Sequence, residues 1–363
     1  MKKYYWILFL FLLPLESYGA PVAIVPFTRT VTKTFTVSNE AQLTVNNKYG
    51  RVNLHTWDKN QIQAVITITA NGSNSDNAQS LANKVAIQSN QSGNNVTLAT
   101  QYDANSASSF WKRFFGGGGN QKNYIHIDYT IYIPHSLADM RVANNYGDVA
   151  GDNIPGNFSL DMNYGNFHIS NVSGNFKLNV NYGSGSLSGI LEGIIQANYT
   201  EFNLDNVNNL TINSNYSDYK ISNAGQIVFK GNYGNLSIGE INKITSGSNY
   251  TDYKISTLQQ QAKMETTYGD IRIGTLGNQF TLMNIRSTYG NIKAGIPKNL
   301  PVRLNIDLTH GDISTHTLPL QIQEKINDHG KNVLKATVQG AGTSSPQIII
   351  SGTYSDVSLS SSQ

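Results

Sequence analysis

Asn145-Tyr146-Gly147-Asp148 is the stretch whose reading decides the fold, because the chain returns to it again and again. Asn-Tyr-Gly stands also at Tyr164, Tyr182 and Tyr233; close variants stand at Tyr199, Tyr216, Tyr250, Tyr268 and Tyr289, and His310 takes the place of Tyr in a last one. Successive copies lie 17, 18 or 21 residues apart. A period this short, filled with alternating apolar and polar residues, implies a solenoid of single coils, each too small to bury its apolar face alone.

Counting outward from the ring residue gives the coil. Three residues on stand Val149, Phe167, Phe202, Tyr219, Leu236, Tyr253, Ile271 and Ile292; eight on stand Ile154, Val172, Ile190, Val207, Ala224, Ile241, Leu258 and Leu276. Two, four and six residues before a ring come triplets such as Met162, Leu160 and Phe158. Each coil therefore holds two period-2 strands on either side of a turn, plus an apolar corner. Gly followed by Asp or Asn supplies the turn, with positive φ expected at the Gly; Thr200, Ser217 and Thr251 replace it in what should be wider turns. By parity with Met162 and its equivalents the ring column belongs inside or at the corner, its rings stacked within ~4.5–7 Å. The preceding column, Asn145, Asn163, Asn181, Asn198, Asn215, Asn232 and Asn249, faces out. It reads as a hydrogen-bonded amide ladder, and alternatively as a polar binding strip.

At 363 residues, with only 13% charged and a net charge of +3, the chain has ample core material and no concentration of Lys or Arg that would suit nucleic acid. Helix formers are scarce beside Gly, Asn, Ser, Thr and Tyr, which fits an all-β chain. Lys2 and Lys3, the apolar run Tyr4 to Leu15 and the small residues before Ala20 read as a signal peptide, 1–19, too short in its apolar part for a spanning helix. No cysteine is present, so disulfides, thiolate metal sites and lipidation through Cys drop out.

In chain order, 20–60 holds first strands (Thr34 to Val37 and Gln42 to Val45) and a first coil around Tyr49, with Trp57 at its corner. An insertion, 61–141, carries strands, one helix over Ser75 to Gln88, and an aromatic loop; the solenoid proper is 142–318. Residues 319–363 form a C-terminal coil and cap, with Leu318 to Lys331 turn-like and Thr353-Tyr354-Ser355-Asp356 echoing the repeat as closure. Within the insertion, Phe110-Trp111-Lys112-Arg113-Phe114-Phe115 before four glycines offers aromatic and cationic contact groups of the kind favoured at interface centres. Caps of this kind cover sheet edges that would otherwise recruit other chains.

Catalytic chemistry finds little support. Carboxylates recur two residues after the ring (Asp148, Glu201, Asp218, Asp252, Asp270, Asp312), but Asn or Ser fills the same slot elsewhere, which makes turn formation the simpler account. Asp252 with Asp270, and Lys220 and Lys254 beside them, are the nearest approach to a polysaccharide-cleaving set. His310 and His316 flank Asp312, yet His310 stands in the ring column. No calcium array, phosphate loop or nucleophile elbow occurs.

The Tyr49-Gly50 coil, the strand Ile127-Asp128-Tyr129-Thr130-Ile131-Tyr132-Ile133-Pro134, the leader and the repeated Asn-Tyr-Gly-Asp/Asn together resemble a family of exported β-solenoid proteins common in the Bacteroidetes and labelled adhesins. The resemblance spans nearly the whole chain after the leader and implies the fold; it carries no catalytic or ligand residues. The expectation is an all-β, single-stranded parallel β-solenoid of 17–21-residue coils, eleven or twelve in number, right-handed by the usual crossover preference. Its expected role is a non-enzymatic scaffold of a Gram-negative envelope, without cofactor or metal, binding a surface glycan or protein through Phe110–Phe115 or through Asn181, Asn198, Asn215, Asn232 and Asn249. A polysaccharide-degrading enzyme and a purely structural component are the alternatives.

Overall fold

The repeat folds as a stack of coils. The computed structural model describes residues 25–102 and 124–362. Each coil lays one strand before its ring residue and one after it, and equivalent strands pair in parallel up and down the stack. The register is that of the sequence columns: Phe158 lies opposite Phe176, Leu160 opposite Leu178, Met162 opposite Val180. Further along, Phe202 meets Tyr219 and Val207 meets Ala224. A slip of one residue would turn every one of these side chains to solvent, so the apolar columns fix the register.

At the N-terminal end the elements are β1 (Val25–Thr36), β2 (Ala41–Lys48), β3 (Val52–Trp57), β4 (Gln61–Gly72), α1 (Ser75–Asn83), β5 (Val85–Ser92), β6 (Asn95–Tyr102) and β7 (Tyr124–Pro134). Strands β2 and β3 make the Tyr49 coil. The insertion adds another coil outside it, with β6 parallel to β2 and β7 parallel to β3. Beyond that the direction reverses: β5 runs antiparallel to β6, β4 to β7, and β1 to β4. Two expectations are corrected here. The first strand is the twelve-residue β1, not a short run from Thr34. The helix stops at Asn83, because Val85 and its neighbours pair with β6; at its start the Asn74 side chain accepts from Asn77 N at 2.8 Å.

The repeat then runs through β8 (Leu137–Asn145), β9 (Val149–Ile154), β10 (Asn157–Asn163), the long extended runs β11 (Phe167–Asn215) and β12 (Asp218–Thr267), β13 (Ile271–Leu276), β14 (Leu282–Thr288), β15 (Ile292–Pro297), β16 (Val302–Thr309) and β17 (Ile313–Ser314). One coil departs from the pattern. In the Tyr182 coil the inward position three after the ring is Gly185, and the Phe167 ring fills its space: a Cβ there would stand 2.0 Å from Phe167 Cε1. Phe167 then reaches Phe202 across that coil, with ring centroids 5.9 Å apart.

The C-terminal end corrects two more expectations. Leu318 to Lys331 is not turn-like: β18 (Leu320–Asp328) pairs antiparallel with β19 (Lys331–Val338), which pairs antiparallel with β16. The last echo of the repeat does not close the molecule either. Its strands β20 (Gln347–Thr353) and β21 (Val357–Ser362) slot between earlier coils, β20 between β14 and β16 and β21 between β15 and β17. The stacking order of the last coils is thus not the chain order.

Candidate binding strip

The ring column lies at the corner, but on the outside. Parity failed because the ring residue is not in strand conformation: from Tyr49 to Tyr354, and at His310, φ lies between 52° and 66°. That left-handed geometry breaks the in–out alternation and swings each ring onto the surface. Ten tyrosines, from Tyr146 to Tyr354, are 42–51% exposed; Tyr49, against the edge of Tyr102 at 6.2 Å, is buried. Neighbouring rings stack face to face at 4.7–5.3 Å, in the order Tyr49, Tyr146, Tyr164, Tyr182, Tyr199, Tyr216, Tyr233, Tyr250, Tyr268, Tyr289, Tyr354, His310. A left-handed residue other than Gly costs about 1–2 kcal/mol. A stacked aromatic pair returns ~0.5–1.5 kcal/mol. With a ring on either side, the stack offsets the turn it sits on.

The glycine after each ring has a different purpose from the expected one. Positive φ belongs to the ring, with Gly234 alone among these glycines also positive at 155°, and what Gly supplies is room. A Cβ at Gly165, Gly183 or Gly290 would stand 1.9–2.2 Å from the carbonyl oxygen of the equivalent glycine one coil below. Where Gly is absent the ring φ is unchanged, and Thr200, Ser217 and Thr251 each turn a hydroxyl back to donate to the carbonyl of Asn198, Asn215 or Asn249.

Two polar ladders flank the rings. On one side Asn163 Nδ2 donates to Asn145 Oδ1 at 2.9 Å, and the same bond recurs through Asn181, Asn198, Asn215, Asn232 and Asn249 at 2.8–3.2 Å. The five asparagines singled out in the sequence therefore stand together as members of one continuous ladder. On the other side the residue two after the ring accepts from a neighbouring coil's backbone: Asp148 from Asn166 N, Asp218 from Asn235 N, Asp252 from Asp270 N, Asp270 from Asn291 N and Asp356 from Asp312 N, all at 2.8–2.9 Å. Asp128 does the same for Arg51 N. Asp252 and Asp270 are thereby each bound to the backbone of the neighbouring coil. His310 stacks on Tyr354 as the last ring of the column.

The strip presents ring edges and hydroxyls between a row of amides and a row of turn Asx residues. Nine steps at about 4.8 Å each make it roughly 43 Å long. Half-exposed tyrosines of ~200 Å² apiece leave on the order of 1,000 Å² of aromatic surface, beyond the ~300–600 Å² of an ordinary largest patch. One sequence signal could have shown that these rings face out: eleven buried phenols would each need a hydrogen-bond partner, and the columns offer none. The buried tyrosines of the strands, Tyr129, Tyr219 and Tyr253, do have one, in Thr100, Ser214 and Ser248. Phe110–Phe115 lie outside the described residues.

A second feature lies on the sheet after the rings, a groove of about 690 Å³ lined in part by Glu201, Asp218, Lys220 and Lys254. Among the described residues no three His, Asp or Glu side chains gather into a metal-ligating cluster.

These columns match a known family profile over residues 41–360, that of Toastrack DUF4097. The chain belongs to the Toastrack family. Solved structures similar to this Toastrack chain include a "putative cell adhesion protein" from Clostridium sporogenes ATCC 15579 (10% identity, 92% of this chain and 100% of that one, TM-score 0.18). Another is a "putative adhesin" from Bacteroides fragilis NCTC 9343 (14%, 73% and 97%, TM-score 0.29). A third is a "putative lipid binding protein" from Parabacteroides distasonis ATCC 8503 (14%, 73% and 96%, TM-score 0.31). Comparison with curated proteins gives no match. No helix among the described residues of this Toastrack chain is long and apolar enough to cross a membrane.

Proposed function

We propose that this protein is an exported, non-enzymatic binding scaffold of the bacterial cell envelope, adhesin-like in use, and that its contact surface is the tyrosine strip with its amide ladder. The observation that carries the reading is the exposed ring column. Asn or Gly would hold a left-handed turn more cheaply than Tyr, so the fold alone does not ask for tyrosine there. Tyrosine held rigid by its neighbours adds contact area at little entropic cost on binding, which is why it is favoured at interfaces. The area available matches the ~800 Å² that one partner contributes to a standard protein–protein interface. The leader sequence supports export.

The test replaces alternate rings, Tyr182, Tyr216 and Tyr250, with Ser, and compares variant and parent on an array of surface glycans and matrix proteins. Loss of capture of at least one glycan or matrix protein with a retained β-rich circular dichroism spectrum is expected. Parent-level capture of every ligand by the triple variant, or no capture by the parent at all, overturns the reading.

The groove beside Lys220 and Lys254 favours a second reading, cleavage of an acidic polysaccharide, since cations next to carboxylates are what such chemistry uses. Asp218 there already accepts from Asn235 through both backbone and side chain, at 2.8 Å each. Incubation with polyuronates, monitored for unsaturated or reducing ends, decides it; release of neither rejects it.

A further inference from the structure

Half a coil away from the tyrosines, at the opposite corner, a second amide ladder occupies the position seven after the ring. Asn171 Nδ2 donates to Asn153 Oδ1 at 2.7 Å, and Asn223 Nδ2 donates to Asn206 Oδ1 at 3.2 Å. The coil between these pairs has Gly189 at this position, and there the ladder is broken. Because every bond in it runs from Nδ2 to the Oδ1 of the preceding coil, the break has a polarity. Asn171 is left with its carbonyl oxygen toward the gap, and Asn206 with its amide NH₂. Asn171 Oδ1 leans into the space, 2.2 Å from where a Cβ on Gly189 would stand. The gap opens onto a groove of about 760 Å³, inside the ~300–1,000 Å³ range of small-ligand sites. Val172, Ile190 and Val207 lie along it, Glu240 stands at one end, and Leu191, 57% exposed, stands on its rim. Among the described residues Leu191 and Ile194 are the only large exposed aliphatic side chains of the repeat, and both belong to the Gly189 coil.

We propose that this notch binds a neutral, linear oligosaccharide, at a site separate from the tyrosine strip. The interrupted ladder offers an acceptor and a donor two coils, or roughly 10 Å, apart, and amides supply both roles to hydroxyls, which need both. The exposed Leu191 suits the C–H face of a sugar ring, while Val172, Ile190 and Val207 are buried beneath the groove. No Lys or Arg lines the groove while Glu240 does, which disfavours an anionic ligand. An added peptide strand is disfavoured too, because the backbone at this corner already pairs with neighbouring coils, Asn171 opposite Asn153 and Asn206 opposite Asn223.

Gly189→Asn is the deciding variant. Neighbouring coils carry Asn at this position, and only the tip of the Asn171 side chain stands in the way of the new side chain. Binding is measured on an array of tetra- to hexasaccharides of glucose, mannose, xylose and N-acetylglucosamine, with oligogalacturonates alongside. The parent should retain at least one neutral series; Gly189→Asn should weaken that binding about tenfold or more with no fall in thermal midpoint, and Leu191→Ser should weaken it without altering the ladder. The Tyr182, Tyr216 and Tyr250 triple variant should bind the same sugars as the parent, so the two sites fail separately. Absence of neutral-sugar binding by the parent, equal binding by Gly189→Asn and Leu191→Ser, or preference for the oligogalacturonates overturns the proposal.

Discussion

A single tyrosine in this ladder sits in a conformation that its own backbone resists and its neighbours favour. At Tyr216, φ is 52° and rings lie at 4.9 and 4.7 Å on either side. Tyr216→Asn removes both stacks but relaxes the turn, while Tyr216→Val removes both stacks and forces a β-branched residue into left-handed space. Urea denaturation should therefore leave Asn close to the parent and place Val lowest, below Asn by about 1 kcal/mol or more. Equal stabilities for Asn and Val would mean that the positive φ carries no strain. Beside the ring, Gly183→Ala places a Cβ 1.9 Å from Gly165 O, whereas Gly247→Ala meets nothing within 4 Å. The first should cost about 1–3 kcal/mol, as overpacking does, and the second should stay within about 0.5 kcal/mol; similar melting temperatures for the two would refute the steric account. At this scale the sequence told the truth about the stack and misplaced it. Period-2 counting assumes extended backbone, and one left-handed residue per coil is enough to void the assumption for that residue while leaving its neighbours correct.

Strands were more legible than single residues, because columns of apolar side chains repeat their message at every coil. The inward column three after the ring was read correctly, and two of its tyrosines carry a testable consequence. Burial pushes the phenols of Tyr219 and Tyr253 up, with hydrogen bonds from the fold to Ser214 and Ser248 only partly opposing it. Burial likewise pushes Tyr129 up to about 12, against the opposing bond to Thr100. In the unfolded chain these groups ionise near 10.0. Their contribution is thus complete below pH 10 and is lost as pH rises from 10 through the folded values, since the unfolded chain gives up protons that the fold retains. Unfolding midpoints in urea should be level from pH 8 to about 10 and fall above it, with a shallower fall in Tyr219→Phe. A midpoint that holds to pH 12 would contradict the assignment of these rings to the interior. Elements with no repeat to echo them were read less well. Val85 continues a helical pattern locally, and only its antiparallel partner β6 decides for strand. The run that became β18 alternates only through Leu320, Ile322 and Ile326, with Glu324 interrupting the set, and its place is fixed by β19.

Across the molecule, the order of the coils was the part no local pattern could disclose. A parallel coil fits any gap whose register matches, and Thr353-Tyr354-Ser355-Asp356 satisfies the gap between Tyr289 and His310 as well as it would an end. The consequence is that the coil of β20 and β21 is an inner element. Most solenoids lose a terminal coil with local fraying, because each repeat touches only its neighbours. Here removal of residues 347–363 takes out Ile348, Ile350, Val357 and Leu359, all at most 1% exposed, from between two coils. At ~1.5–3 kcal/mol for each buried aliphatic the loss is roughly 6–12 kcal/mol, comparable to the ~5–15 kcal/mol that holds a whole domain. It also bares facing strand edges on β14 and β16, which invite other chains. The truncated protein should elute as oligomers on sizing and be cut by protease in the stretch from Leu282 to Val338, while an equimolar synthetic peptide of residues 347–363 should restore protection. Protection returns only if the slot persists without its occupant and the pairing is specific, so a monomeric truncation with an unchanged melting temperature would show that the inserted coil holds nothing together.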